Sequence, residues 1–386
     1  MEITICDITA FDYWRMPPLV RHLLADDETS PKLQPVIRED EMLALREAVA
    51  QTPLARTILA PNPATRNAGR AIKDLKPAAI MLAACHQGAI DIAVDEHRRC
   101  HASSTVRHRF SQHETPIGAT TAIEEYINVA NPALALLQLA GRASLARTTM
   151  LVSEICGAFT VYRAPQPIRA ALQKIANSGT FPQVDGWRPY IKSDGVITDL
   201  WSRPPLATPS NLAAFAQECS TRKGCQNLRL AAQLATPGAA SPLEVQAGML
   251  LGLSRRRGGE GHAGFSFNKR IDLSPGAQAI AQRGHCYCDL YWENGLDVEC
   301  QSAAVHDEAA SFLSDSDRTC ALKSMGIDVI PVTYGQLADE RRFAELSKTI
   351  AKARGKRFRP KTTQQVKTAR TLRKELFTDW GTIHHI

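Results

Sequence analysis

The alternation of apolar and polar positions predicts short elements at the start of the chain and longer ones beyond. Residues 1–76 contain short apolar stretches interrupted by seven prolines. Proline cannot donate a backbone hydrogen bond inside a helix, so this density predicts short helices and loops. Residues 78–84 form a continuous apolar run and residues 88–94 alternate, which predicts two strands. Pro132 is placed for the first turn of a helix.

Changes of composition along the chain predict five segments. Residues 1–76 are a proline-rich segment with short helices, and residues 77–162 are a mixed α/β module. Residues 163–209 are rich in proline, glycine and serine, which is typical of a linker. Residues 210–345 contain two helices followed by the pattern of a separate α/β domain. Residues 346–386 form a basic C-terminal arm.

The pattern after residue 240 predicts the order helix, three strands, helix, strand. Ser241 and Pro242 are a typical cap and first residue of a helix, and Glu244 places a negative charge in its first turn. The elements predicted beyond that helix are strands at 265–273, 286–292 and 296–301, a helix at 314–325 and a strand at 327–333. We therefore expect an α/β (α+β) protein whose C-terminal domain has the order αβββαβ.

Asn294-Gly295 marks the turn of a β-hairpin. A two-residue loop would place apolar side chains opposite polar ones throughout. A three-residue loop with a left-handed Gly295 gives one wholly apolar face instead. Its cross-strand pairs are Trp292 with Leu296, Leu290 with Val298, and Cys288 with Cys300. A slip by one residue would expose that face, so we predict the three-residue loop.

The same register places Asp289 opposite Glu299, with Gln301 two residues further along on the same face. Two facing carboxylates repel each other unless a proton or a cation lies between them. Oxygen ligands of this kind suit Mg²⁺, which keeps water ligands and binds substrate phosphates. The alternative is an exposed polar face on which the two carboxylates have no function.

Composition is that of a globular protein without a membrane segment. Hydrophobic residues make up 44% of the chain and charged residues 22%. No run of eighteen apolar residues occurs, and acidic residues precede any apolar run at the N-terminus, so we expect a cytoplasmic protein. Ten scattered cysteines favour free thiols over a disulfide framework. The His285-Cys286-x-Cys288 group lacks the spacing of a zinc knuckle.

Positive charge is concentrated near the C-terminus. The net charge is +7, and eleven lysines and arginines but no acid lie between Lys348 and Lys374. Because like charges at this density repel, we expect the arm to be mobile when free and ordered on nucleic acid. The residues predicted to contact phosphates there are Lys348, Lys352, Arg354, Lys356, Arg357, Arg359 and Lys361.

The order and identity of these residues resemble the PD-(D/E)XK (restriction-endonuclease-like) superfamily, and within it the branch related to very-short-patch-repair endonucleases. The residues that carry the resemblance are Glu244, Asp289, Glu299, His306, Asp315, Arg318, Leu322, Gly326 and Thr333. The resemblance covers about a hundred residues, with several motifs in the correct order. It implies a nuclease-like fold that acts on DNA with Mg²⁺.

The resemblance also implies roles for single residues. Asp289 and Glu299 would bind Mg²⁺, and Glu244 would position water or metal. His306 would act as the base and Arg318 would contact phosphate. Gln301 departs from the superfamily, which has lysine at this position, and glutamine neither carries charge nor takes a proton.

A second and shorter resemblance lies at about residues 77–140, which are similar to the type IV abortive-infection antitoxin family. The similar segments are 97–113, 115–118 and 131–140. In many bacterial chains of that family such a module precedes a nuclease-like domain. The resemblance implies a regulator or defence-related protein, with a toxin or a defence-system protein as a partner.

Two functions remain open from the sequence. The first is a Mg²⁺-dependent DNA endonuclease, which the facing Asp289 and Glu299 favour. The second is a DNA-binding regulator that keeps the nuclease fold as a scaffold without turnover, which Gln301 favours. Nucleic acid, with DNA as the first expectation, is the partner in both.

Overall fold

The computed structural model describes residues 2–25, 37–61, 68–94, 103–179, 181–301 and 309–386. Within these residues the chain has a mixed α/β fold built on three sheets, as the sequence predicted at the level of fold class. None of the described helices has the length and apolar character needed to span a bilayer.

The first sheet joins the N-terminal segment to the region after it. The elements are β1 Ile3–Ile5, α1 Asp7–Arg15, α2 Pro18–Leu24, α3 Glu39–Ala50, α4 Pro53–Leu59, α5 Ala68–Asp74, α6 Ala79–Cys85, β2 Ile90–Val94, β3 Val106–Phe110, β4 Thr120–Glu124 and β5 Ile127–Ala130. The strand order is β3-β2-β1-β5-β4, with β1 antiparallel to β2 and parallel to β5. Residues 1–76 therefore supply the central strand of a sheet whose other strands come from residues 77–162.

The short helices predicted from the prolines are confirmed, but the strand expected at residues 78–84 is wrong. These residues are mostly in α6, which packs against α1 and α4. Alanine has the highest helix propensity of all residues, and this apolar run contains four alanines in seven positions. A buried helix and a buried strand are equally apolar, so hydrophobicity alone did not distinguish them.

The segment predicted as a linker is folded. The elements here are α7 Pro132–Ala140, α8 Leu145–Ile155, β6 Phe159–Val161, α9 Gln166–Asn177, β7 Arg188–Ile191, β8 Ile197–Ser202, α10 Pro209–Glu218 and α11 Cys225–Leu234. Strands β6, β8 and β7 form an antiparallel sheet, and Trp201 on β8 is fully buried. Helix α7 begins at Pro132 as predicted, and the Asn131 side chain caps it by accepting from Leu134 N at 2.9 Å.

The third sheet contains the predicted hairpin. The remaining elements are α12 Pro242–Gly252, β9 Phe265–Asp272, α13 Pro275–Ala281, β10 His285–Trp292, β11 Leu296–Gln301, α14 Ala309–Ser324, β12 Asp328–Thr333, α15 Tyr334–Ala338, α16 Glu340–Ala353 and α17 Thr363–Leu376. The strand order is β12-β11-β10-β9. β12 lies parallel to β11 after the α14 crossover, and the sequence did not predict the short helix α13.

The three-residue hairpin loop is confirmed. Leu290 pairs with Val298 and Trp292 with Leu296, and Gly295 has a left-handed φ of 81°. The wholly apolar face is wrong, because Cys288 packs with α13 and α14 whereas Leu290 packs in the main core. The side-chain alternation changes at Asp289, opposite Asn268 of β9, whose φ of 49° is left-handed.

The C-terminal region is not a free arm. Helices α16 and α17 bury apolar stripes against the rest of the molecule through Phe343, Ile350, Leu372 and Leu376. Trp380 and Ile383 are also buried. The lysines and arginines predicted to be mobile are therefore carried by packed helices and the loop between them.

A buried carboxylate, that of Glu154, contacts residues from both ends of the chain. Arg15 Nε and Nη2 donate to the two carboxylate oxygens of Glu154 at 2.9 and 2.6 Å. The same carboxylate accepts from Thr160 Oγ1 and Trp380 Nε1, each at 2.7 Å. Helix α1, helix α8, β6 and the C-terminal turn thus meet at one carboxylate.

Replacing Arg15 tests this arrangement. Arg15→Met removes the charge partner of a carboxylate that is 1% exposed, and we expect a loss of about 3–5 kcal/mol of unfolding free energy. The measurement is urea denaturation followed by circular dichroism. Arg370→Met is the matched control, since its ion pair with Glu340 is exposed and should contribute less than about 1 kcal/mol. Equal losses in the two variants would contradict the role given to Arg15.

Candidate functional site

The start of α12 fixes the position of Glu244. Ser241 caps the helix as predicted, since its Oγ accepts from Glu244 N at 3.2 Å and donates to Glu244 Oε1 at 2.8 Å. Ala240 N and Asn268 Nδ2 donate to Glu244 Oε2 at 2.8 and 2.7 Å. The side chain is thereby held in one orientation, buried between the helix and β9.

Asp289 is close enough to Glu244 and Glu299 for their charges to act on it. Its Oδ2 accepts from Cys300 N of β11 at 2.8 Å. Burial, followed by the negative charges of Glu299 and Glu244, raises the pKa of Asp289 well above its usual value. Burial also raises the pKa of Glu244 to about 6, with Glu299 adding to the rise. The structure therefore brings together the three acids singled out in the sequence, which come from α12, β10 and β11.

Asp297 is a fourth acid of the group and was missed in the sequence. It is fully buried. No donor among the described residues meets hydrogen-bond geometry at its carboxylate oxygens, and its polar neighbours are the Cys288 thiol and the Glu299 carboxyl group. Burial and then the charge of Glu299 raise its pKa to about 7. The signal was present, because residues two apart on a strand share a face and Asp297 precedes Glu299 by two.

Arg318 of α14 is the one described cation that forms an ion pair with this acid group, which we call the acid cluster (Glu244, Asp289, Asp297 and Glu299). Its guanidinium donates to both oxygens of Glu299, to Oε2 at 2.6 Å, and to the carbonyl oxygen of Tyr287. Arg318 was predicted to contact phosphate. In this structure its guanidinium is bound within the protein instead.

Gln301 and His306 are the two other predicted site residues. Gln301 is the last residue of β11, half-buried and paired in register with Thr333 of β12. His306, the predicted base, lies outside the described residues.

The acid cluster has more negative charge than its partners neutralise. Four carboxyl groups share one arginine, and three of them have raised pKa values. Such a group must take up protons or bind a cation. The acid cluster offers only carboxyl oxygens as donor atoms, and those of Asp297 have free lone pairs. Oxygen donors are the type that Mg²⁺ prefers. Among the described residues, however, only Asp12, His384 and His385 bring three ligand atoms within 4.8 Å of one another, so the carboxyl groups of the acid cluster do not form a ready three-ligand site in this structure.

The residues predicted to contact phosphates divide into two groups. Lys348 and Lys361 form ion pairs with Glu345 and Glu260, at 2.6 and 2.5 Å. The others have no ion-pair partner among the residues that the structure describes; they are Lys352, Arg354, Lys356, Arg357 and Arg359. The sequence reasoning missed Arg255–Arg257, a 3-10 turn that packs against α17 and adds three more cations.

A second group of ligand-type side chains does not fit a metal ion. Asp12, His384 and His385 have ligand atoms within 4.8 Å of one another. However, Arg15 Nη1 lies 3.0 Å from His384 Nδ1, and an arginine can only donate. The ring proton is therefore on Nε2, 2.7 Å from Asp12 Oδ1, where a metal would need a lone pair. We interpret this group as a structural contact.

The pH dependence of stability tests the position of Asp297. The folded protein binds this proton more tightly than the unfolded chain, because the pKa rises from 3.8 to about 7. The contribution of Asp297 to stability therefore falls as the pH rises through this interval. Asp297→Asn removes that fall, so the stability of the variant relative to wild type should increase from pH 4 to pH 7.

The measurement is chemical denaturation at a series of pH values in EDTA. Asp328→Asn, an exposed position on the neighbouring strand β12, is the control and should leave the pH profile unchanged. A constant difference between Asp297→Asn and wild type across the series would show that Asp297 is not buried as an acid.

Comparisons with family models, with characterised proteins and with solved structures found no match to this chain. The geometry of the acid cluster and the resemblance of its residues to a nuclease superfamily are therefore the basis for inferring function.

Proposed function

We propose that this protein binds nucleic acid and that its C-terminal domain is a divalent-metal-dependent endonuclease acting on DNA. The observation that carries the proposal is the convergence of Glu244, Asp289 and Glu299 from three separate elements. The order α12, β9–β11, α14 and β12, with a parallel crossover, supports a restriction-endonuclease-like arrangement. The short α13 is an insertion between the first two strands.

The residues of the acid cluster have distinct roles in this proposal. Asp289 and Glu299 would hold Mg²⁺, and Asp297 offers unpartnered oxygens beside them. Glu244 is fixed by three hydrogen-bond donors, so it sets the position of the others rather than moving. The ion would neutralise negative charge on a bound phosphodiester. His306 is the proposed base, and Gln301 is limited to hydrogen bonding.

The surface around the domain supports a polyanionic partner. Lys352, Lys356, Arg357 and Arg359 lack ion-pair partners among the described residues, and three of them lie in the loop between α16 and α17. Arg255–Arg257 packs beside α17, so the two basic segments belong to the same part of the molecule. Cations on a fixed surface bind phosphates with little ordering.

A second function, a DNA-binding regulator without turnover, is favoured by one specific observation. Arg318 holds both oxygens of Glu299, where a metal ion would bind. In such a site, with Gln301 in place of the superfamily lysine, Arg318 neutralises the charge of Glu299 in place of a metal ion. An antitoxin-like regulator with a toxin or defence-system partner is this alternative. The nine described cysteines are free thiols, which supports a cytoplasmic location for either function.

Asp289→Asn tests the endonuclease. We expect the wild-type protein to cleave DNA with Mg²⁺ or Mn²⁺ and not with EDTA, and the variant to lose at least about 100-fold in rate because a metal ligand loses its charge. Plasmid, linear and single-stranded DNA are incubated with each protein and analysed on gels. Asp272→Asn, at the exposed end of β9, is the control. Metal-dependent cleavage by Asp289→Asn at the wild-type rate would reject the metal site. DNA binding without cleavage by wild type would establish the regulator.

Arg318→Met tests the internal neutralisation. Removing the guanidinium frees both oxygens of Glu299, so we expect Mg²⁺ to bind at least about tenfold more tightly than to wild type. Isothermal titration calorimetry at pH 8 measures this affinity. Lys323→Met removes a positive charge from the exposed face of the same helix and should have little effect. Unchanged Mg²⁺ affinity in Arg318→Met would show that Glu299 is not a metal ligand.

A further inference from the structure

A group of cationic side chains lies at the turn end of the hairpin, beside Trp292. Arg354, at the C-terminal end of α16, places its guanidinium over the ring of Trp292 at 5.0 Å from the centroid. Trp292 Nε1 donates to the carbonyl oxygen of His262 at 2.9 Å. Asn294 Nδ2 at the hairpin turn lies 3.4 Å from the carbonyl oxygen of Ala353, so the end of α16 is held against the turn.

Two buried nitrogens in this cationic group have no hydrogen-bond partner among the described residues. They are Arg354 Nη1 and His262 Nδ1. His262 is 6% exposed, so water does not easily satisfy its ring. A buried polar group without a partner costs about 1–3 kcal/mol, and native proteins rarely keep two together. An acceptor would satisfy Arg354 Nη1 and, with the ring proton of the neutral imidazole on Nδ1, His262 as well.

The charges around His262 favour an anionic acceptor. Burial and the neighbouring cations, first Arg354 and then Lys356 and Arg255, lower the pKa of His262 to about 4. Glu260 is the acid that opposes them, and it is already paired with Lys361 at 2.5 Å. Burial and the charge of Arg354 also lower the pKa of Lys356. The positive charges that act on His262 therefore outnumber the one negative charge of Glu260.

We propose that Arg354, His262, Arg255 and Lys356 form a binding site for a phosphate group. A guanidinium fixed on an aromatic ring presents its N–H groups in the planar geometry that phosphate oxygens match. The buried imidazole offers a further polar contact, and Lys356 and Arg255 supply positive charge. Asp289 lies three residues along β10 from Trp292, about 10 Å away. Asp297 is closer, next to the Trp292 partner Leu296, but its neighbour Cys288 belongs to the other apolar cluster, so Asp297 and Trp292 lie on opposite faces of the hairpin.

Titration with inorganic phosphate tests the site. We expect phosphate to bind and to raise the melting temperature more than chloride at equal ionic strength. Arg354→Met keeps an apolar stem over Trp292 but removes the guanidinium, and Lys356→Met removes the second cation. Each should weaken phosphate binding at least about tenfold. Arg341→Met, at the exposed start of α16, is the control and should bind phosphate as wild type does.

The proposal is overturned if phosphate acts no differently from chloride, or if Arg341→Met weakens binding as much as Arg354→Met. A second readout does not depend on the stability of any variant at the arginine. Bound phosphate should shift the pKa of His262 upwards, because an anion stabilises the imidazolium. Proton resonances of the histidines report this shift, with His262→Gln identifying the signal. If the pKa of His262 does not change when phosphate is added, the proposed site is also rejected.

Competition identifies where the phosphate comes from. A short single-stranded oligonucleotide without terminal phosphates is added to the protein at half-saturating inorganic phosphate. Displacement of phosphate assigns the site to a nucleic-acid backbone. Phosphate binding that the oligonucleotide does not disturb assigns it to a small phosphate-bearing ligand. Both results support a phosphate site, and both are independent of cleavage, which Asp289→Asn tests separately.

Discussion

The contact between Arg15 and Glu154 is the interaction on which the rest of the structure depends. Burial alone raises the pKa of Glu154, but the charge of Arg15 and hydrogen bonds from Thr160 and Trp380 lower it below its ordinary value. The carboxylate is therefore ionised and fully paired in the interior. Its donors include Arg15 of α1 and Trp380 of the C-terminal turn, so the two ends of the chain meet at this carboxylate. The basic helices are thus attached to the core.

The acid cluster is the opposite case of buried charge. Glu154 has a matched set of donors, whereas Asp289 and Asp297 have raised pKa values, and among the described residues no donor meets hydrogen-bond geometry at either carboxylate oxygen of Asp297. A protein that satisfies one buried carboxylate so completely does not lack the means to satisfy another. This difference supports the proposal that the acid cluster binds a ligand. The same reasoning applies to the unpartnered nitrogens of Arg354 and His262.

The sequence predicted what depends on local pattern and missed what depends on a single unusual residue or a distant contact. The hairpin register followed from matching apolar positions, and the Ser241 cap followed from short-range hydrogen bonding. The change of face at Asp289 did not, because it accompanies a left-handed backbone at Asn268 that no periodicity reveals. Asp297 was overlooked although it precedes Glu299 by two residues on β11 and shares its face. The folded C-terminal helices were missed because charge density was weighed above their buried apolar stripe.

Because the basic C-terminal segment is folded, the phosphate recognition that we propose differs from recognition by a mobile arm. A mobile basic arm loses conformational freedom when it binds, and part of its interaction energy is offset by that ordering. Arg354 has already lost this freedom, since Trp292 and the end of α16 fix its guanidinium before any ligand arrives. Its binding energy is therefore available for affinity and for geometry, and the phosphate it selects is fixed relative to the sheet. A rigid cation at one end of the hairpin and an unsatisfied acid cluster along the same strand hold a constant separation. Constant separation is what an enzyme or a repressor needs to position one phosphate of a polymer by holding another.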